Sequence, residues 1–197
     1  MKGKIIVLIG LVLMLGGMLW SAAMLKEETV AADEVRRVTP QIRKVMINDQ
    51  NTETIQNDPQ QDMTQVLIEG IGYIGILEIP ALSLELPVIA SWSPENGKVA
   101  PCRYSGRVDQ DNMILCAHNY DSHFGRLNSL GEGDEILFTD SNGKIYYYYI
   151  KEILILDGAA VVEIQEGEWD LTLFTCTSGG RNRQVVRCIS STGKRDL

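Results

Sequence analysis

Leu171-Thr-Leu-Phe-Thr-Cys176-Thr-Ser-Gly-Gly-Arg-Asn-Arg183 reads as a short apolar strand, a glycine turn and the start of a second strand. The strand delivers one cysteine to the turn, and two arginines follow it. Thiolate rather than thiol attacks a carbonyl, and cationic neighbours lower a thiol's pKa below its free value of about 8.5. Cys176 is therefore the candidate nucleophile.

Working outward, the same rhythm of short β-rich runs reaches back to Val66. Tyr73–Pro80, Leu84–Ile89, Asn112–Ala117, Asp134–Thr139, Ile145–Leu156, Leu171–Cys176 and Gln184–Ile189 read as strands. Asp140–Lys144 reads as a hairpin turn in which Asn-Gly supplies positive φ. Seven or eight such strands without alternating long helices predict an all-β barrel or sandwich, with short helices or turns over Tyr120–Leu130. The chain's two histidines both lie in Met113-Ile-Leu-Cys-Ala-His118-Asn-Tyr-Asp-Ser-His123-Phe-Gly-Arg126. His118 closes an apolar run, so a strand end holds it. His123 falls further into a polar loop and is expected to line or flank the site.

The N-terminus differs in kind. Ile5–Leu25 holds no charge and follows Lys2 and Lys4. As a helix it is roughly 30 Å long, the thickness of a bilayer's hydrocarbon core. It reads as a membrane anchor over residues 1–25, with the N-terminus cytoplasmic and the remainder outside. A cleaved signal peptide is the rival reading, but its apolar region runs to only about 7–15 residues. Residues 26–66 are polar and read mainly as a stalk, with a helix possible over Glu34–Met46. Residues 67–197 form the β-domain. A net charge of −8 argues against a nucleic-acid partner. Of the four cysteines, Cys116 and Cys188 fall in apolar runs and Cys102 in a turn-rich stretch, so only Cys176 has an electropositive setting.

Taken together, these segments resemble the sortases, membrane-anchored cysteine transpeptidases of Gram-positive cell surfaces. Leu171–Cys176 is similar to the family's TLxTC strand, Arg183-Gln-Val-Val-Arg187 to its arginine-bearing final strand, Ile74–Val88 to its opening strands, and Cys116-Ala-His118-Asn119 to its histidine loop. The resemblance implies a closed eight-stranded β-barrel. It makes Cys176 the nucleophile, His118 the acid/base and Arg183 the essential arginine, with Arg187 as rival and Arg181 as a weaker one. Arg183 and Arg187, four apart on a strand, are expected to share a face. Thr175 is expected to orient backbone beside the site. Implied partners are secreted proteins bearing an LPxTG-like sorting motif and an amine acceptor, either a peptidoglycan precursor or a pilin lysine. No cofactor or metal is implied; Glu163, Glu166 and Glu168 read as solubilising charge rather than the calcium loop of some members. Asp58-Pro59 is followed by Gln60 rather than an aromatic residue, and no second span precedes Leu197. Both features favour wall anchoring over pilus assembly.

Other chemistries fit less well. A phosphate-binding Cys-x5-Arg loop needs arginine at position 182, which is Asn. A zinc site from Cys102, Cys116, His118 and His123 lacks paired ligand spacing. A non-enzymatic anchored β-domain is the alternative from a different class.

Overall fold

The computed structural model describes residues 2–47 and 63–191. The Asp58-Pro59-Gln60 segment lies outside the described residues. Among the described residues there are nine strands: β1 (Val66–Ile68), β2 (Ile71–Ile79), β3 (Leu84–Ile89), β4 (Cys102–Ser105), β5 (Met113–Cys116), β6 (Glu135–Asp140), β7 (Ile145–Asp157), β8 (Leu171–Cys176) and β9 (Asn182–Ser190). They pair in the order β1-β2-β3-β4-β5-β8-β9-β7-β6, and β6 returns to pair with β2. Strands β2 to β9 thus close an eight-stranded barrel, while β1 extends the sheet along the early part of β2.

Side-chain alternation fills the barrel. On β7, Tyr148 and Ile150 are buried while Tyr147 and Tyr149 face outward. Ile74, Leu77, Leu115, Phe138, Leu171, Leu173 and Val186 belong to the same central cluster. At the β6–β7 hairpin, Asp140 Oδ1 accepts the N–H groups of Asn142 and Lys144, and Gly143 takes φ +81°. The turn's positive φ thus falls on the glycine alone, and the aspartate carboxylate satisfies the remaining donors.

Two strands had no sequence signal. β1 spans three residues, and β4 joins β3 through the single parallel pair Ile89 and Cys102. Neither is long enough to show a period. Cys102, expected in a turn, is consequently a fully buried strand residue.

The N-terminal helix α1 runs unbroken from Lys2 to Ile47. Its first half is apolar on all sides and exposed, as at Ile5 and Trp20, and is long and apolar enough to cross a membrane. Its second half includes Glu34–Met46, where the sequence allowed a helix, and it packs on the barrel. Ala31, Val35, Val38 and Ile42 are spaced four, three and four apart, which puts them on one helical face. Val38 and Ile42 pack with Ile68, Tyr73, Ile76 and Ile89 on the barrel's outer surface. Burying each such side chain contributes about 2 kcal/mol, enough to seat a helix that composition alone left unpacked. Arg43 reinforces the contact through Glu85 at 2.7 Å and Glu78 at 3.2 Å.

Candidate active site

β5 and β8 run parallel, with Cys116 opposite Phe174. His118 and Cys176 each lie two residues beyond that pair, so the matched register brings both to the same end of the barrel. Two bonds hold the strands together there. The Ala117 N–H donates to the Phe174 carbonyl at 3.3 Å, and Thr175 Oγ1 donates to the Ala117 carbonyl at 2.8 Å. Thr175 is buried on the inner face, so it reaches the site through the backbone just before His118.

β8 and β9 are joined by a turn in which Gly179 and Gly180 both take positive φ, +88° and +72°. The turn places Arg183 directly opposite Cys176. Gly158, in the connection leaving β7, lies against this turn. A Cβ there would come within 2.4 Å of the Arg181 carbonyl oxygen and 3.4 Å of Arg183 Nη1, so only glycine permits the approach. His118, Cys176 and Arg183 line one groove of about 410 Å³. Its walls are apolar: Trp92, Tyr104 and Phe174 form an edge-to-face aromatic row, and Val161 and Ile164 of the short helix α3 (Val161–Gln165) line it with them. These wall residues come from four separate segments, which is why sequence inspection missed them. Exposed Trp92, in a polar Ser-Trp-Ser-Pro stretch, was the one available hint.

The structure does not bring Arg187 to the groove. It shares Arg183's strand face but sits some 13 Å along it. There it pairs with Glu152 at 2.9 Å, donates to the Glu163 carbonyl at 2.6 Å and stacks over Trp169. Arg183 donates only to the carbonyls of Gly180 and Asn182, and among the described residues it meets no carboxylate. Arg181 is exposed.

His123 flanks the site, with its ring centroid 5.5 Å from that of Tyr120, without lining the groove. It is fully buried, because Phe124 and Leu127 anchor its loop in the central core. Burial, aided by His118, depresses its pKa to about 4. His118 is half-buried; burial and then the Lys98 ammonium hold its pKa below the ordinary histidine value, while Glu27 acts in the opposite direction. Burial pushes the Cys102 thiol up to about 12 and raises Cys116 and Cys188 as well. Cys116 forms part of the groove wall, but as a buried thiol. Cys176 alone is partly open to solvent. Among the described residues, no group of three or more His, Cys, Asp or Glu side chains is placed to share a metal ion.

A closed barrel with a thiol, an imidazole and a guanidinium on one groove describes a cysteine-dependent acyl-transfer scaffold, and comparison with known proteins narrows it. The sortase domain model matches residues 77–190, more than half of the chain. This chain therefore belongs to the sortase family, whose members are cysteine transpeptidases. It is similar to sortase D of Bacillus subtilis (28% identity; 52% of this chain, 53% of that protein) and to sortase A of Bacillus anthracis (32%; 53% and 52%). The chain spans about half the length of these relatives. In fold it is similar to a Clostridium perfringens sortase D5 transpeptidase, with a TM-score of 0.60, 16% identity, and coverage of 82% of this chain and 98% of that one.

Proposed function

We propose that this chain is a membrane-anchored cysteine transpeptidase that cleaves an LPxTG-like sorting motif near the C-terminus of secreted proteins and joins them to a cell-wall amine. The observation that carries the reading is the placement of Arg183 opposite Cys176 on the groove that His118 also lines.

In the proposed reaction, the Cys176 thiolate attacks the carbonyl carbon of the scissile peptide bond. Charge moves to the carbonyl oxygen beside the Arg183 guanidinium, whose positive charge no carboxylate offsets among the described residues. The His118 imidazolium gives its proton to the departing amine, leaving a thioester on Cys176 and a neutral imidazole. An incoming amine then attacks the thioester, His118 takes the amine's proton, and the thiolate is released. Because His118 is held below its ordinary value, its neutral form predominates at pH 7. The aromatic row and α3 suit an apolar Leu-Pro segment, with the reacting carbonyl over Cys176. Lys2 and Lys4 before the apolar span favour a cytoplasmic N-terminus and an extracellular barrel. Thr175 is proposed to fix the backbone that carries His118.

Mass spectrometry of the protein incubated with sorting-motif peptides and candidate amines tests this reading. An acyl adduct on Cys176 that an amine resolves supports it. A wall-derived amine as acceptor supports anchoring, whereas a pilin lysine identifies a polymerising enzyme. Adduct formation that survives Cys176→Ala sinks the reading.

A further inference from the structure

Helix α1 does not end where its apolar span ends. Its first acidic turn beyond Leu25 touches the loop that carries His118. Glu28 Oε1 accepts the Asp121 N–H at 3.0 Å, and the Tyr120 hydroxyl donates to Glu27 Oε2 at 3.4 Å. The Tyr120 ring in turn stacks on the His118 ring, with centroids 5.1 Å apart and planes 26° apart. On another side the imidazole lies against Gly97 of the short helix α2 (Asn96–Val99): a Cβ there would sit 3.7 Å from His118 Cδ2 and Nε2. α1 packs on α2 as well. The anchor helix thus approaches His118 by two routes, through Tyr120 and through α2.

Without those contacts the loop has local ties. Phe124 N–H donates to the His118 carbonyl at 3.2 Å, Gly125 N–H to the Tyr120 carbonyl at 2.8 Å, and Arg126 reaches the Leu82 carbonyl at 2.9 Å. The first two tie the C-terminal half of the loop back to the His118 and Tyr120 carbonyls. Beside the imidazole, α1 holds the Tyr120 hydroxyl and the Asp121 N–H, while the Asp121 carbonyl accepts from Arg126 Nε at 3.3 Å. A carboxylate accepting a backbone N–H is a charge-assisted bond, stronger than a neutral one.

We propose that Glu27 and Glu28 are positioning residues for His118, so that the helix crossing the membrane also holds the histidine loop in its working geometry. This inference rests on the reading of His118 as the acid/base group. Glu28 fixes the main chain of the loop, and Glu27 fixes Tyr120 and places a negative charge near the imidazole. The other charged or titratable groups around His118 are Lys98 on α2, Tyr120 and His123 in its own loop, and Cys176 and Arg183 along the groove.

The test uses the full chain in lipid nanodiscs. Glu28→Ala should raise hydrogen exchange at Asp121 roughly fivefold and lower kcat for a sorting-motif peptide by roughly three- to tenfold with KM unchanged. Glu28→Gln, which keeps an acceptor oxygen, should restore most of both. Glu27→Gln should move the His118 ring titration, followed by NMR of labelled histidine, to lower pH. Asp33→Asn, at an exposed site on α1, should change none of these. Wild-type exchange and kcat in Glu28→Ala, or an unmoved His118 midpoint in Glu27→Gln, overturn the proposal. If the wild-type protein turns over no sorting-motif peptide, the functional reading fails instead, and exchange and titration still decide whether α1 holds the loop.

Discussion

Arg183 and Arg187 lie on the same face of β9, four residues apart, and their surroundings differ in kind. Arg187 is enclosed: a carboxylate, a main-chain carbonyl and an indole face share its guanidinium. Among the described residues, Arg183 bonds only to carbonyls of its own turn, and it opens onto a groove beside a partly exposed thiol. The histidine loop repeats the contrast, with His118 on the groove and His123 sealed in the core. Arg187 spends its charge inside the protein and His123 is buried away from the groove, whereas Arg183 and His118 stay available to a ligand. Availability, rather than residue type, separates a site from its scaffold.

The hardest challenge to that division is removal of the thiol. Cys176→Ala is expected to abolish the acyl adduct and all turnover while leaving circular dichroism unchanged. In the wild type, iodoacetamide should modify Cys176 well before Cys102, Cys116 or Cys188, which peptide mapping would reveal. Next come the available members of the two pairs. Arg183→Ala and His118→Ala should each lower kcat roughly 10²- to 10³-fold with little loss of melting temperature. If Arg187→Ala proves the more damaging to turnover, the comparison is reversed.

Buried His123 sharpens the contrast through pH. Its folded pKa of about 4 lies below the unfolded value near 6.5, so the folded protein binds fewer protons between them. Its contribution to stability is complete above about pH 6.5 and is lost as pH falls toward 4, by up to about 3 kcal/mol. Urea denaturation across that range should show the loss, and His123→Leu should flatten it. The smallest effect falls on Arg187→Ala: about 1 kcal/mol of stability, through its partly exposed ion pair and its stacking on Trp169, with kcat within about threefold of wild type.

How much of this was readable beforehand varied with segment length. β7 spans thirteen residues and shows a clear period, whereas β1 spans three and shows none. The packed half of α1 did carry a signal, the stripe from Ala31 to Ile42, but polar composition around it masked four well-spaced apolar residues. At the site, Cys176, His118 and Arg183 stood out because each belongs to a local pattern with its own chemistry. Trp92, Tyr104, Glu27 and Glu28 belong to no such pattern. They matter only through neighbours that are distant in the chain.

From residue order alone came the strand that ends on Cys176, the rhythm of most barrel strands and the long apolar stretch at the N-terminus, since periodicity and turn chemistry are properties of adjacent residues. Tertiary structure alone decided which arginine faces the groove, which histidine is sealed away, and that the N-terminal helix touches the histidine loop. Those outcomes depend on strand register and on packing between segments up to 93 residues apart, where a partner's identity is set by closure of the barrel rather than by any local sequence preference.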